Sequence, residues 1–380
     1  MPKNFIKFIR EVYKTKDYIS LHEPKFEGNE IKYVNDTIDS TFVSSVGKFV
    51  DQFENSIQNY TGSKRAVATV NGTAALHVAF VSAGVNRGDV VITQALTFVA
   101  TCNALYHMGA EPAFVDICEK TLSLCPKALE GFLTTFASID EHGTFLVKSG
   151  KRIKAVVPMH TFGHPAKLDE LLVVCKKWKL YLIEDAAESL GSLYKQRHTG
   201  SIGDYGVLSF NGNKIITTGG GGMVLCSSVE SGKKVKHLTT TAKVSHEYEF
   251  FHDEAGFNYR MPNINAALGC AQIETLNDYL LKKRKLASAY KEFFKDSEYI
   301  FVDEPRDTRS NFWLNTIICP DKKIRDNLLM QTNHGGIMTR PAWTLMHKLP
   351  MFSNCIKGSL KNSEWIEKRL VNLPSSPVEI

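Results

Sequence analysis

The feature that most restricts the fold is an alternation. Seven short runs rich in β-branched and apolar residues, at positions 66–70, 90–93, 113–115, 155–158, 180–183, 206–210 and 223–226, are separated by segments with helical spacing such as 73–83 and 168–177. Strand-like runs alternating with helical patterns argue for a largely parallel sheet with helices on its faces. Ligands in open sheets of this kind bind beyond the carboxyl ends of the strands, so the residues just after each run are where chemistry is sought.

Past about residue 240 the pattern changes. An amphipathic helix is predicted over 263–284, then a strand over 312–319, a helix over 323–333 stopped by Gly335-Gly336, and a final segment from Ile337. At 380 residues the chain also exceeds what one hydrophobic core usually supports. The expectation is a large α/β domain over 1–240, with an N-terminal arm over 1–25, and a smaller C-terminal α/β domain over 241–380. Hydrophobic residues at 43% and charged residues at 23% allow a substantial core and argue against disorder.

Charge narrows the partners. Lys and Arg total 46 against 40 Asp and Glu, a modest excess that favours anionic small molecules and lacks the basic stripe of a nucleic-acid binder. No stretch is long and apolar enough to span a bilayer, and the first ten residues alternate charged with apolar side chains, unlike a signal peptide. Eight scattered cysteines without CxxC pairs offer no zinc site and suit a reducing cytosol, so a cytoplasmic, soluble protein is expected. The Asn-x-Thr patterns at Asn35 and Asn71 are set aside for the same reason.

Several strand ends carry candidate chemistry. Asn71-Gly72-Thr73 opens a helix, where glycine admits an anion to the backbone and unpaired N–H groups favour phosphate. Thr73 reads equally well as an ordinary helix cap. Glu184-Asp185-Ala186-Ala187-Glu188 sets carboxylates at the end of a buried strand, an expensive place without a cationic partner; a protonated ring nitrogen would serve, and so would a role for Asp185 in capping the next helix. Ser209 and Lys214 follow another buried strand and precede four glycines, Gly219 to Gly222; a lysine in such a loop can have the lowered pKa that a Schiff-base nucleophile needs, although an isolated lysine is usually a solvated charge. His160 and His164 have the i, i+4 spacing of some metal ligands, but Gly163 and Pro165 break the helix this requires, so no metal is expected and His160 is assigned to the lining of a substrate pocket.

Taken in order, Asn71-Gly72-Thr73, Thr97-Phe98, Glu184 to Glu188, Ser209-Phe210 with Lys214 and the glycine run, and Gly256 to Gly269 resemble the signature set of the DegT/DnrJ/StrS family of sugar aminotransferases. The resemblance covers residues 25 to 375, and it implies the aspartate aminotransferase-like fold (fold type I) with pyridoxal 5'-phosphate as cofactor. Residue by residue, it implies that Lys214 holds the cofactor in Schiff-base linkage, that Asp185 pairs with the pyridine nitrogen, and that Phe98 stacks on the ring. Glu188 would face the ring oxygen, while Gly72, Thr73 and Ser209 would hold the phosphate. Asn258 would complete the phosphate site from a neighbouring subunit, which implies a homodimer, and Arg260 beside it faces either substrate or its own fold. Arg340 falls in a C-terminal stretch, Gly336 to Pro350, similar to aminotransferases of legionaminic-acid-type pathways.

The activity implied is amino transfer from glutamate to the C4 ketone of a nucleotide-linked 4-keto-6-deoxyhexose, with Lys214 moving the proton and Asp185 keeping the ring charged. Many members have Gln where this chain has Glu188, and an acid there resembles the branch acting on 4-keto sugars. The alternatives are a 3-keto nucleotide-sugar aminotransferase and a non-catalytic regulatory protein that kept the fold. A sugar dehydratase of related sequence would carry histidine in place of Lys214.

Overall fold

A computed structural model describes residues 2–380. Its centre is a sheet whose main strands are β1 (Arg65–Thr69), β2 (Val90–Gln94), β3 (Glu111–Val115), β4 (Arg152–Val157), β5 (Tyr181–Asp185), β6 (Tyr205–Ser209) and β7 (Gly222–Cys226). They lie in the order β1-β7-β6-β5-β4-β2-β3. All seven arise from the apolar runs of the sequence, because side chains on both faces are covered and a fully buried strand tolerates no polar alternation. The pairs β6–β5, β5–β4, β4–β2 and β2–β3 are parallel, whereas β7 runs antiparallel to both β6 and β1. The largely parallel sheet is therefore mixed at one side, since the connection from β6 to β7 holds no helix that could carry the chain back.

Helices cover both faces. On one face Leu129, Leu133, Leu168 and Leu171 pack on Ile92, Val156 and Leu182. On the other, the helix Gly72–Ser82 is apolar nearly all round, and its Leu76, Val78 and Phe80 fill the space over Val91, Val157 and Val207.

The C-terminal part has its own four-stranded antiparallel sheet, formed by β8 (Ile300–Phe301), β9 (Asn315–Ile318), β10 (Arg340–Pro341) and β11 (Leu370–Leu373) in the order β8-β9-β11-β10. The strand expected over 312–319 is shorter, because Phe312 takes a left-handed φ of 47° and turns the chain first. The long helix runs from Asn263 to Phe294, ten residues beyond the expected end at Arg284, since Leu286, Tyr290 and Phe294 continue the buried stripe. Its first half, with Ala267, Cys270, Leu276 and Leu280, packs under the large sheet; its second half packs with Ile317, Leu328 and Val371 of the C-terminal layer. Packing thus changes hands within this helix and not at residue 240. The N-terminal arm joins the C-terminal layer too, through Phe5, Ile9 and Ile19.

Backbone crowding behind the sheet is tightest at Gly206 in β6, where an added Cβ would collide with the carbonyl of Gly200. Both partners are main chain, so neither can swing away. Gly206→Ala should cost roughly 1–3 kcal/mol in urea unfolding, whereas Gly131→Ala, at an exposed position of the helix Pro126–Phe136 with open space around it, should stabilise by about 0.5–1 kcal/mol. Equal midpoints for the two variants would contradict this packing.

Candidate active site

The carboxyl ends of β5 and β6, the opening of the helix Gly72–Ser82 and the loop after β6 enclose a cavity of about 320 Å³. Three backbone decisions set its contents. Asn71, not Thr73, caps the helix: its Oδ1 accepts the Ala74 N–H at 2.8 Å. That leaves Gly72 and Thr73 on the cavity wall. A Cβ at Gly72 would lie 3.1 Å from Cβ and 3.3 Å from Oγ of Ser209, so the close approach of these two segments depends on glycine. Second, β5 extends two residues beyond the expected 183, carrying Asp185 inside the sheet. A turn follows it, not a helix, so the capping role weighed for Asp185 does not apply. Third, the loop after β6 turns back with the Lys214 N–H bonded to the Asn211 carbonyl at 3.0 Å, which directs the lysine side chain into the cavity.

Asp185 is 3% exposed. Thr101 Oγ1 donates to its Oδ2 at 2.6 Å and the Ala187 N–H donates to Oδ1 at 3.2 Å. Among the described residues no cationic side chain pairs with it within 4.0 Å. A carboxylate so buried calls for a positive partner from outside the chain.

Lys214 faces it from the other wall. Its Nζ lies 4.1 Å from the centroid of the Trp313 ring and 3.6 Å from Glu188 Oε1. Glu188 is buried, and its Oε2 accepts the Phe162 N–H at 2.9 Å. Phe162 supplies that donor from a left-handed conformation (φ 56°, ψ 17°) inside a short 3-10 turn, a local strain spent on aiming one amide. Burial pushes the Glu188 carboxyl up to about 7, against the lowering pull of the Lys214 ammonium and the Phe162 N–H. Phe98, half-exposed at the start of the helix Val99–Met108, walls the cavity with Trp343, their centroids 6.1 Å apart.

Four sequence candidates lie elsewhere. His160 does not line the pocket. It is fully buried, its Nδ1 accepts the Ala166 N–H at 3.1 Å, and its Nε2 therefore carries the proton donated to Glu184 Oε2 at 2.9 Å. Glu184 also accepts N–H groups of Gly200, Ile202 and Gly203. Burial alone would raise this carboxyl, but His160 and those amides outweigh it and hold it below the usual carboxylate range. Strand alternation is the reason: Glu184 and Asp185 point to opposite faces of β5, and His160 belongs with the former. Arg340 is exposed on β10 and donates to Asn333 Oδ1 at 3.1 Å, away from the cavity. Asn258 and Arg260 bond to each other, Nε to Oδ1 at 3.1 Å, on a segment that bridges to Thr240 and Thr69 outside the cavity of their own chain.

Sequence reasoning gave no role to Trp313 or Thr101. Trp313 precedes β9 in the C-terminal part and reaches the cavity only through the packing of the two sheets, with its Nε1 held by the Asn213 carbonyl at 2.8 Å. Thr101 lies one turn into the helix that Phe98 begins, and a residue three positions after an aromatic cap was the only available signal.

The donors present fit pyridoxal phosphate. An uncompensated carboxylate suits the ring nitrogen, a primary amine lies across the cavity, and a helix opening with a glycine, Thr73 and Ser209 forms an anion cradle at the remaining end.

The raised carboxyl of Glu188 predicts a pH dependence of the cofactor-free protein. A folded value near 7 against an ordinary 4.5 means that the native chain binds the proton more tightly. The associated stability is complete below 4.5 and is lost as pH rises through 7. Relative to Glu188→Gln, the wild type should lose roughly 1–3 kcal/mol between pH 5 and 8 in urea unfolding. Parallel curves for the two proteins would show that Glu188 titrates normally.

Comparison with known proteins agrees with this geometry. Residues 24–378 match the model of the DegT/DnrJ/EryC1/StrS aminotransferase family. GDP-perosamine synthase of Escherichia coli O157:H7 is 34% identical over 360 residues, covering 95% of this chain and 94% of that protein. GDP-perosamine synthase of Caulobacter vibrioides is 34% identical over 362 residues, covering 94% and 93%. The solved structure of Helicobacter pylori PseC, an aminotransferase involved in the biosynthesis of pseudoaminic acid, shares the fold with a TM-score of 0.84 at 23% identity, over 94% of each chain. The chain belongs to the DegT/DnrJ/EryC1/StrS aminotransferase family, and it is a sugar aminotransferase whose cofactor is pyridoxal phosphate.

Proposed function

We propose that the protein moves an amino group from glutamate to the C4 ketone of a nucleotide-linked 4-keto-6-deoxyhexose, yielding a 4-amino-4,6-dideoxy sugar. The observation that carries the reading is Lys214 Nζ projecting into a cavity whose buried Asp185 carboxylate has no cation from the described residues. The 4-keto assignment draws on relatives named GDP-perosamine synthase and on Glu188, the acid at a position where many members have Gln. The segment 336–350 resembles aminotransferases of legionaminic-acid-type pathways, and this resemblance favours an N-acetylated UDP- or GDP-sugar as the substrate.

When bound, the cofactor supplies an electron-withdrawing ring that stabilises negative charge at the carbon losing its proton. The residues do the rest. Asp185 holds the proton on the ring nitrogen by charge pairing, and Thr101, by donating to Oδ2, fixes the carboxylate in place. Thr73 Oγ1, Ser209 Oγ and the opening N–H groups of the helix Gly72–Ser82 bind the phosphate. Phe98 covers one ring face and excludes water. Lys214, on a flexible four-carbon stem, is the base that takes a proton from the donor carbon and returns it in the reverse half.

Trp313 offers its ring face to the Lys214 ammonium at 4.1 Å, and Glu188 offers a carboxyl at 3.6 Å, so the free lysine has a defined resting position near the reacting atoms. Asn258, lying outside the cavity of its own chain, is proposed to complete the phosphate site of a second copy in a homodimer, with Arg260 beside it.

Two experiments test the assignment. Borohydride reduction of the holoprotein followed by peptide mapping should tag Lys214. Lys214→Ala should lose the tag and at least about 10²-fold in turnover, and a tag on any other lysine would refute the role. Initial rates with glutamate and nucleotide 4-keto sugars should give parallel double-reciprocal plots. A preference for 3-keto sugars, or intersecting lines, would overturn the substrate or the two-step scheme respectively.

A further inference from the structure

The long helix Asn263–Phe294 carries three consecutive basic residues with different surroundings. Lys282 pairs with Glu27 at 3.0 Å and Glu379 at 2.9 Å, and Arg284 pairs with Glu304 at 2.8 Å. Lys283, between them, is 0% exposed, and among the described residues no carboxylate pairs with it. Its Nζ donates instead to two main-chain carbonyls, that of Trp313 at 3.1 Å and that of Ser375. Burial pushes this amine well below the ordinary lysine range, and an uncharged amine has two N–H donors for the two acceptors.

Desolvating an amine is a cost that filling the same space with methionine would avoid. What the amine adds is a hold on the Trp313 peptide. The Trp313 N–H donates to Asn311 Oδ1 at 2.8 Å, and Asn311 Nδ2 donates in turn to the carbonyls of Glu188 and Leu190, both at 2.9 Å. The indole Nε1 donates to the Asn213 carbonyl at 2.8 Å. Lys283 secures the remaining polar group, the Trp313 carbonyl. The second acceptor of the amine is an anchor: the Ser375 N–H donates to the Leu21 carbonyl, and its Oγ accepts the Asn315 N–H, each at 2.7 Å. Held at N–H, carbonyl and indole tip, Trp313 keeps its ring face 4.1 Å from Lys214 Nζ.

We propose that Lys283 is a positioning residue for amino transfer, fixing the Trp313 peptide so that the indole face sets the resting place of the Lys214 amine. The proposal rests on the role given to Lys214 above. Without the donor on Lys283, the Trp313 peptide turns more freely, the ring leaves the Lys214 amine uncovered, and the lysine spends less time where it can move a proton. Donor binding is left in place, because Lys283 lies behind Trp313 and outside the cavity wall.

The test compares Lys283→Met, Trp313→Leu and the double variant in the full chain, with Lys283→Gln, whose shorter amide does not reach Trp313, in reserve if the methionine variant does not fold. In the cofactor-free protein, reductive methylation with formaldehyde, mapped by peptide, should modify Lys214 roughly two- to ten-fold faster in Lys283→Met than in the wild type, and the double variant should match Trp313→Leu. In the holoenzyme, a single turnover with glutamate should slow about ten-fold at saturation in Lys283→Met, with half-saturating glutamate unchanged within about two-fold. A lysine that serves stability alone would lower the urea midpoint and leave Lys214 methylation at the wild-type rate; that result, or losses that multiply in the double variant, overturns the proposal. A borohydride tag on a different lysine would refute the role of Lys214 while leaving the methylation result standing, so the two failures are separable.

Discussion

A carboxylate held at the end of a buried strand without a protein cation is the constraint on which the site depends. Asp185 reaches that position because β5 continues to its last residue as sheet, and it stays there because Thr101 and the Ala187 amide fix both oxygens. Neither partner neutralises its charge. The cavity is consequently an electrostatic half-site, and everything facing it can be understood as accommodation of a cation on a flat ring. An aromatic wall, an anion cradle at one end and an amine across the gap meet that requirement, and none of them would have reason to converge if Asp185 were a surface cap.

The adjacent acid shows how the strand period divides labour. Glu184 is as buried as Asp185 but turns to the opposite face, where four N–H donors, from His160 and from the amides of Gly200, Ile202 and Gly203, satisfy it. That cluster ties the loop after β5 to the sheet, so one carboxylate fixes the frame while its neighbour is left in want of charge. A third, Glu188, lies beyond the strand where burial outweighs the neighbouring ammonium. Three acids within five residues thus have three different electrostatic fates, set by which face each side chain points to and what donors wait there.

Much of this was legible in the sequence, and the reasons for the rest are specific. Apolar runs located all seven main strands, because burial on both faces leaves few polar residues to blur them. The motif residues at strand ends fell beside the cavity for the same reason, since the topology of a parallel sheet gathers them at one edge. Helix ends were less legible. Asn71 and Thr73 are equally good caps by residue type, and only the approach of Ser209 to Gly72 shows which one faces inward. His160 was misplaced because being next to a strand end does not say which face a side chain takes. Trp313 and the second half of the helix Asn263–Phe294 were invisible to local reasoning: Trp313 takes its partners, Asn213 and Lys214, from the loop after β6, and the helix takes its own from the C-terminal layer, all of them distant in sequence.

That helix has a mechanical consequence. Its 32 residues form one continuous rod clamped at one end beneath the large sheet and at the other within the C-terminal layer. Swinging one layer away from the other would require bending or melting the rod at its middle, where no proline or glycine offers a joint. The two tryptophans that close the cavity are thereby mounted on a stiff frame, and traffic through its mouth falls to rotamer changes of individual side chains such as Phe98, a far faster event than the rotation of half a molecule.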